Sequence, residues 1–323
     1  MLIYNRKQSN ELFGYFEELA KNVGFLAIDV GARAKGNEKE DLAMLRQGVD
    51  WLCLEPDKEA SKDTGNNWKS ISFEPYAASK QKESFILNLY KQRGCSSKYQ
   101  ANTNIAQRFS RENYFKLENQ IEIKAESLDN LLKRYTNMPP PSFIKIDVQG
   151  MEVECFAGSH RTLKRHIVGI RTEVSFFKIY KKQPLFPDVD QVLRKYDFQP
   201  MKFLELHHWR RSTRTKLPKL GPKPMPYSKG QMAHGDILYL LPPDDLPARN
   251  VNQIKRLIRL GLVSLCYDLL DHAQVAFKKP EVRDYCLSKT GKDPVKMIYK
   301  LSNYRAKKRK FVLFLSRILN RLK

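Results

Sequence analysis

The stretch from Ser142 to Gly158, SFIKIDVQGMEVECFAG, constrains the fold of this chain more than any other. It opens with a short apolar, mostly β-branched run behind three prolines, which predicts a buried strand of a parallel sheet. Asp147 follows at the carboxyl end of that strand, and Gly150 lets the chain turn sharply into a helix. Open α/β sheets bind their ligands at the carboxyl ends of parallel strands. Asp147 is therefore a candidate site residue, and capping of the next helix is the alternative role for it.

A related unit lies upstream. The runs 24–31 and 49–55 are apolar strands, the first ending in Asp29 and Gly31 and the second in Glu55, with helix-forming residues between them. This order of strand, glycine turn, helix and strand-end acid is typical of a nucleotide-binding βαβ unit. There the turn approaches the ligand through its backbone, and the second acid accepts hydrogen bonds from ribose hydroxyls. Asp29, Gly31 and Glu55 are therefore candidates for cofactor binding, and an exposed strand-end acid is the alternative for Glu55.

Strands and helices keep alternating as far as residue 249, which predicts a doubly wound α/β fold with a mostly parallel sheet. The last two strands, near 198–206 and 235–241, have no helix between them, so we expect them to pair antiparallel at one edge. The run 84–90 is expected to form a strand outside the parallel core. After Gly150, a single helix is expected to run as far as His166.

The segment 93–109, RGCSSKYQANTNIAQRF, is polar and irregular, which is typical of a lid or of a disordered connector. As a lid it would order over a substrate at the carboxyl edge of the sheet. Ser96 and Ser97 would then lie at its turn, and Arg108 would be available to an anionic or hydroxyl-rich substrate. These three residues are the candidates for substrate binding.

The charge of the chain is concentrated in two segments. Of a formal net charge of +23, the segment 210–230 holds seven Lys and Arg without an acid, and 250–323 holds eighteen against five acids. We therefore divide the chain into an α/β domain, 1–249, and a basic helical extension, 250–323, and expect the charge to serve a surface partner. The five cysteines have no zinc or disulfide spacing, and no signal peptide or membrane span is visible, so we expect a cytoplasmic location.

The central runs resemble a known family. FIKIDVQGMEVECFAGSHRTL and TEVSFFKIYKKQPLFPDVDQVL look like the signature of FkbM-type methyltransferases, and the resemblance spans roughly 24–241. It implies a class I methyltransferase (Rossmann-like) fold with a seven-stranded sheet, S-adenosylmethionine as the cofactor, and O-methylation of hydroxyls on sugars of glycans or glycolipids or on secondary metabolites. The first glycine loop departs from the family, because Arg33, Ala34 and Lys35 precede Gly36 where further small residues are usual.

The chemistry of that cofactor agrees with the candidate residues. Its cationic sulfonium and amino groups suit Asp29, and its ribose hydroxyls suit Glu55 through charge-assisted hydrogen bonds. Transfer to a hydroxyl also needs a general base within hydrogen-bond reach. Asp147, which also faces the cofactor, is the first candidate; Glu173 and Glu152 are the others, with capping as their alternative role. The histidines show no ligand spacing, so we expect no metal.

Two other functions are open at this point. The net charge of +23 motivates a nucleic-acid methyltransferase, although the Asn/Asp-Pro-Pro-aromatic loop of amino-directed base methylation is missing after the strand that ends in DVQG. A degenerate methyltransferase fold that serves as a non-catalytic basic binding module is the other. We expect a small-molecule or glycan acceptor as the partner, and no nucleic acid.

The final segment, Lys307–Lys323, has apolar residues on one helical face and basic residues on the opposite face. Basic amphipathic helices can lie in the interface of an anionic membrane. This pattern predicts a peripheral contact with the inner face of the membrane. Packing of the apolar face on the preceding helices is the alternative.

Overall fold

The computed structural model describes residues 6–32, 38–56, 68–211 and 230–321, with the backbone alone for 6–10, 38 and 311–321. The unusual loop at 33–36 and nearly all of the basic loop 210–227 lie outside the described residues. The apolar face predicted for the tail helix also lies outside them, because its side chains begin at Phe311.

The strands and helices follow the alternating order of the sequence. The strands are β1 Phe25–Val30, β2 Val49–Leu54, β3 Ser70–Glu74, β4 Ala77–Ala78, β5 Glu83–Tyr90, β6 Leu117–Glu126, β7 Pro141–Ile146, β8 Gly169–Ser175, β9 Gln199–Trp209 and β10 Gln231–Leu240. The helices are α1 Arg6–Val23, α2 Thr103–Arg108, α3 Leu128–Leu131, α4 Glu152–Ala157, α5 His160–Arg165, α6 Phe186–Arg194, α7 Val251–Cys266, α8 Leu270–Lys278, α9 Pro280–Thr290 and α10 Pro294–Arg321. Short 3-10 helices lie at Glu38–Gly48, Arg93–Cys95 and Leu132–Arg134.

Within the described residues, seven strands form the main sheet in the order β3-β2-β1-β7-β8-β10-β9. The five strands from β3 to β8 in that order are parallel, and β10 runs antiparallel to both β8 and β9. Every residue of β1, β2 and β7 is buried, because helices cover both faces of a doubly wound sheet. The predicted fold class and its antiparallel edge pair are confirmed.

Two groups of helices flank the main sheet. In one group α1, α7 and the 3-10 helix Glu38–Gly48 pack together, and α7 contacts β7. In the other, α4 packs against α5 and α6, and α6 contacts β8 and β9. β1 and β7 are neighbours at the centre of this arrangement, so their carboxyl ends open side by side at one edge of the sheet.

A smaller sheet has the order β4-β6-β5, and its β5 is the strand predicted to lie outside the parallel core. That prediction is confirmed. β5 and β6 are antiparallel, and β4 follows β3 closely along the chain, so the small sheet stands beside the carboxyl edge of the main one. The segment 93–109, expected to be irregular throughout, ends in α2, so the expectation is wrong for Thr103–Arg108.

The helix expected to run from Gly150 to His166 is broken in two, so that prediction is also wrong. α4 ends at Ala157 and α5 begins at His160. Gly158, between them, lies so close to the small sheet that a Cβ on it would come within 1.9 Å of the Ser79 carbonyl oxygen. Its own carbonyl oxygen accepts a hydrogen bond from the backbone N–H of Asp129 (3.0 Å). A contact between distant segments therefore sets the break.

Helices α7 to α10 pack together, and α7, α9 and α10 also contact α1. Leu257, Val263 and Ile298 from these helices are buried in the same apolar cluster as the strands of the main sheet. The boundary between 1–249 and 250–323 stays a prediction. Within the described part of the chain, no helix is both long and apolar enough to cross a membrane.

Candidate active site

A cavity lies at the carboxyl edge of the main sheet, where β2, β1 and β7 end side by side. Its polar wall consists of Glu55, Ser96, Lys145, Asp147 and Gln149, beside the backbone of Gly31. Its apolar wall includes Leu54, Ala78, Phe85, Leu87, Ile123 and Met151, and four of these residues belong to the small sheet. Such a combination of apolar surface with a few convergent polar groups is typical of a small-molecule site.

Gly31 forms the turn that leaves β1, in a left-handed conformation with φ +79°. Its N–H donates to the carbonyl oxygen of Leu54 (3.0 Å), and the Asp147 N–H donates to the carbonyl oxygen of Val30 (3.1 Å). A Cβ on Gly31 would lie 2.0 Å from the Asp147 carbonyl oxygen. The turns after β1 and β7 are therefore in direct contact, which only a glycine at this position allows.

Glu55 lies at the end of β2, and only 5% of its surface is exposed. Its backbone N–H donates to the carbonyl oxygen of Glu74 (3.1 Å), which continues the pairing of β2 with β3 by one residue. Glu55 lines the cavity and so is not the exposed strand-end acid that the sequence left as the alternative.

Asp29 is buried and lies behind the cavity wall, not on it. It is in register with Lys145 of β7, and the Lys145 ammonium is 3.3 Å from Asp29 Oδ1. The ammonium of Lys39 is 3.7 Å from Asp29 Oδ2. Lys145 itself lines the cavity. Asp29 therefore acts on the cavity only through its ion pair with this lysine, which it holds in position.

Gln149 connects two of the predicted catalytic carboxylates. Its Nε2 donates to Asp147 Oδ1 (2.7 Å) and to Glu173 Oε2 (2.8 Å), and its Oε1 accepts from the Tyr180 hydroxyl (2.9 Å). The backbone of Gln149 has φ +53°, an uncommon conformation for a residue other than glycine. Such strain is tolerated where surrounding contacts fix it, and it clusters at functional sites. Tyr180 and Gln149 therefore orient the acidic centre.

Glu173 also contacts His234, whose Nδ1 lies 2.8 Å from Glu173 Oε1. Burial raises the pKa of Glu173 well above its ordinary value, and the neighbouring charge of Asp147 raises it further. Burial likewise lowers the pKa of His234. Both pKa shifts favour the uncharged pair, in which one proton is shared between Oε1 and Nδ1. His234 also stacks on His207, with 4.6 Å between the ring centroids.

Glu152 lies behind the turn between β7 and α4. Its Oε1 accepts from the backbone N–H of Gly150 (3.1 Å), and it is not part of the cavity wall. Burial, together with the neighbouring acids Glu173 and Asp147, raises its pKa to about 8. The structure therefore places Glu152 in the capping role that the sequence gave as the alternative to catalysis.

This pKa shift makes stability depend on pH. The folded protein keeps the Glu152 proton from its ordinary pKa of 4.5 up to about 8, whereas the unfolded chain releases it near 4.5, so the folded state loses stability as pH rises through this window. Glu152→Gln keeps the acceptor and cannot ionise. We expect the Tm of this variant, relative to wild type, to rise by roughly 5 °C between pH 5 and pH 8. Thermal denaturation at both pH values measures this difference, and Glu112→Gln, an exposed change, is the control. A Tm difference between Glu152→Gln and wild type that is the same at both pH values would contradict the prediction.

The predicted substrate residues do not share one position. Ser96 lines the cavity, whereas Ser97 is fully buried and donates from its hydroxyl to the Gln149 carbonyl oxygen (2.7 Å). Arg108 is exposed at the end of α2, away from the cavity wall. The segment is held on α4, since Glu154 accepts from Lys98 (2.8 Å) and from the Tyr99 hydroxyl (2.5 Å).

Sequence reasoning missed Lys145, Gln149, Tyr180 and His234. A lysine inside a fully buried strand was a usable signal, because buried charges are rare unless they are paired. The left-handed Gln149 and the pairing of His234 with Glu173 have no local signature. In the part of the chain that the structure describes, no group of three or more His, Cys, Asp or Glu side chains is arranged to hold a metal ion.

Comparison with known proteins identifies the family. The model of the methyltransferase FkbM domain matches residues 29–200, more than half of the chain. Among solved structures, methyltransferase FkbM from Methylobacillus flagellatus KT aligns with a TM-score of 0.37 and 13% identity; the alignment covers 68% of this chain and 44% of that one, so the chain spans less than half of its length. No curated protein matches the chain. On the strength of the matched domain, the chain belongs to the FkbM methyltransferase family.

Proposed function

We propose that this methyltransferase uses S-adenosylmethionine and transfers the methyl group to a hydroxyl oxygen of a small-molecule or glycan acceptor. The observation that carries the proposal is the cavity at the carboxyl edge. Glu55, Gly31 and Asp147 lie along it in the order of the strands they follow, β2, β1 and β7. A strand-end acid suited to ribose hydroxyls and a candidate base therefore line the same cavity, which supports the proposal.

The residues present fit this cofactor. The Glu55 carboxylate suits two ribose hydroxyls, and the apolar residues Phe85, Leu87 and Ile123 of the small sheet suit a flat base. Gly31 keeps the β1 turn free of a side chain. When bound, S-adenosylmethionine supplies an electrophilic methyl group on a sulfonium. The Asp147 carboxylate adds the negative charge that a cationic centre needs.

Asp147 is the base in this proposal, because it is the one of the three candidate acids that lines the cavity. It accepts the proton of the acceptor hydroxyl at the oxygen that Gln149 leaves free, since Gln149 Nε2 bonds to Oδ1. Gln149 fixes the carboxylate plane and is itself held by Tyr180. The Glu173–His234 pair lies behind Gln149 and stabilises this arrangement without direct access to the cavity wall.

The same wall argues against a nucleic-acid substrate. Glu55 and Asp147 face the cavity beside Lys145, a balance of charge that disfavours a phosphate backbone. We therefore propose no nucleic-acid partner.

We also retain as proposals a cytoplasmic location and a peripheral membrane contact through Lys307–Lys323. Co-sedimentation with anionic vesicles tests the membrane contact, by comparison of the full chain with a chain that ends at Asn303.

Cofactor affinity tests the role of Glu55. We expect Glu55→Gln to weaken S-adenosylmethionine binding by about 1.5–3 kcal/mol, because hydrogen bonds to a charged carboxylate become bonds to a neutral amide. Isothermal titration calorimetry with purified protein measures this. Glu122→Gln, an exposed change on β6, is the matched control and is expected to bind like wild type. Unchanged affinity of a folded Glu55→Gln protein would sink the assignment.

A further inference from the structure

A second cavity, of about 510 Å³, lies at the opposite edge of the main sheet, where β1 and β7 begin. Its walls come from the end of α1, the residues before β7, the end of α5 and the first turns of α7. The basic side chains on these walls are Lys21, Arg165, His166, Lys255, Arg256 and Arg259, and no Asp or Glu is among the described residues that line the cavity. This cavity is therefore strongly cationic.

The two innermost arginines are anchored on carbonyl oxygens and not on carboxylates. Arg259, 6% exposed, donates from Nε to the Gly24 carbonyl oxygen (2.8 Å) and from a terminal nitrogen to the Val23 carbonyl oxygen (2.5 Å). Arg256 donates to the carbonyl oxygens of Lys164 and Ile167 (3.2 Å each). Carbonyl oxygens accept hydrogen bonds from these guanidinium groups but leave their charge uncompensated, and buried charges are ordinarily paired.

The electrostatic consequences are visible in neighbouring groups. Burial lowers the pKa of Arg259 to about 10; the positive charge of Arg256 contributes to this lowering, and Tyr285 opposes it. Burial, Arg256, Arg259 and Arg165 all lower the pKa of His166, whereas Asp129 raises it. Of the outer cations, Lys21 is paired with Glu17 (3.1 Å), so it adds less than the others.

Two further features favour an anion here. The Nε of Arg256 is buried and lacks a hydrogen-bond acceptor among the described residues. Asn252 and Lys255 bring the first turns of α7 to the cavity, and the N-terminus of a helix carries partial positive charge and favours phosphate groups.

We propose that this cavity binds a phosphate group, either as a free phosphate compound or as the headgroup of a phospholipid. It is not a part of the methyl-transfer site, because β1 and β7 separate the two cavities and a six-residue strand spans about 20 Å. A single phosphate cannot contact both. Phosphate binding in this cavity requires neither the proposed cofactor nor the proposed acceptor.

The test uses the full chain and inorganic phosphate. Arg165 is exposed and Lys255 is half-buried, and both side chains line the cavity without anchoring its backbone, so Arg165→Gln/Lys255→Gln is expected to fold. We expect phosphate to bind wild type and to bind this double variant at least about tenfold more weakly, since two charge-assisted contacts are lost. Lys116→Gln/Lys124→Gln, which removes two exposed charges from the small-sheet region, is the charge-matched control. Calorimetry at fixed ionic strength reports the affinities.

A second measurement does not depend on any loss of function. NMR of the histidine ring protons, with His166 assigned from the His166→Gln spectrum, is expected to show the His166 pKa rising when phosphate is added to wild type. No phosphate binding to wild type, equal binding by the double variant, or an unmoved His166 would overturn the proposal and leave the arginines as caps for the ends of α1 and α5.

The source of the phosphate is decided with vesicles. Phosphatidylcholine vesicles that contain phosphatidic acid present the phosphate as a headgroup, and phosphatidylcholine alone is the blank. Binding that the Arg165→Gln/Lys255→Gln change weakens and that free phosphate competes with supports a lipid headgroup. Vesicle binding that this change leaves untouched, together with calorimetric binding of free phosphate, supports a soluble phosphate compound.

Discussion

Replacing Asp147 with asparagine is expected to lower the rate of methyl transfer about 10²–10⁴-fold, the usual contribution of a positioned general base. The substitution keeps the size of the side chain and an oxygen that Gln149 Nε2 can still bond to, so the turn after β7 is preserved. It removes the carboxylate that accepts the hydroxyl proton. S-Adenosylmethionine affinity is expected to fall far less than the rate, because the contacts proposed for Glu55 with the ribose remain.

The measurement needs an acceptor. Fractionated cell-extract glycans and metabolites are incubated with wild type and radiolabelled S-adenosylmethionine, and the labelled fraction then serves for single-turnover rates. Asp284→Asn, an exposed change on α9, is the matched control and is expected to transfer at the wild-type rate. Wild-type rates for Asp147→Asn would move the base elsewhere, and the Glu173–His234 pair would be the next candidate.

Gly31→Ala is expected to have the largest effect on stability. A residue with a Cβ pays about 1–2 kcal/mol for the left-handed conformation, and the new methyl group would lie 2.0 Å from the Asp147 carbonyl oxygen. The turns after β1 and β7 must then separate, which disrupts the hydrogen bond from Asp147 N–H to the Val30 carbonyl oxygen. We expect a total loss of about 3 kcal/mol or more, a Tm lower by about 5–10 °C, and no measurable cofactor binding.

Gly14→Ala provides the control for this change. Gly14 is an exposed position inside α1, and a Cβ there would meet no atom within 4 Å. Alanine at such a site is expected to stabilise the protein by about 0.5–1 kcal/mol, because glycine weakens a helix interior. Differential scanning calorimetry of both variants separates the local contact at Gly31 from a general effect of glycine replacement. Equal Tm values for Gly31→Ala and wild type would show that the two turns are not in rigid contact.

The main sheet and the edge at which the cavity lies could be predicted from the sequence. Apolar runs that alternate with helical segments can bury their side chains only in a parallel sheet with helices on both faces. The acids at the ends of such runs then lie at one edge, because parallel strands end on the same side. Glu55, Gly31 and Asp147 could be located at this edge in this way, since each comes directly after the end of a strand.

The tertiary structure alone decided the partners of these residues. Asp29 forms an ion pair with Lys145, which is far away in sequence but in register on the neighbouring strand. Asp29 therefore does not reach the cavity wall. Gln149 bonds to Glu173, and Glu173 contacts His234, across three separate parts of the chain. The basic cavity at the amino edge is assembled from α1, α5 and α7. Periodicity in sequence reports which face of an element is buried, whereas these contacts depend on how separate elements pack against one another.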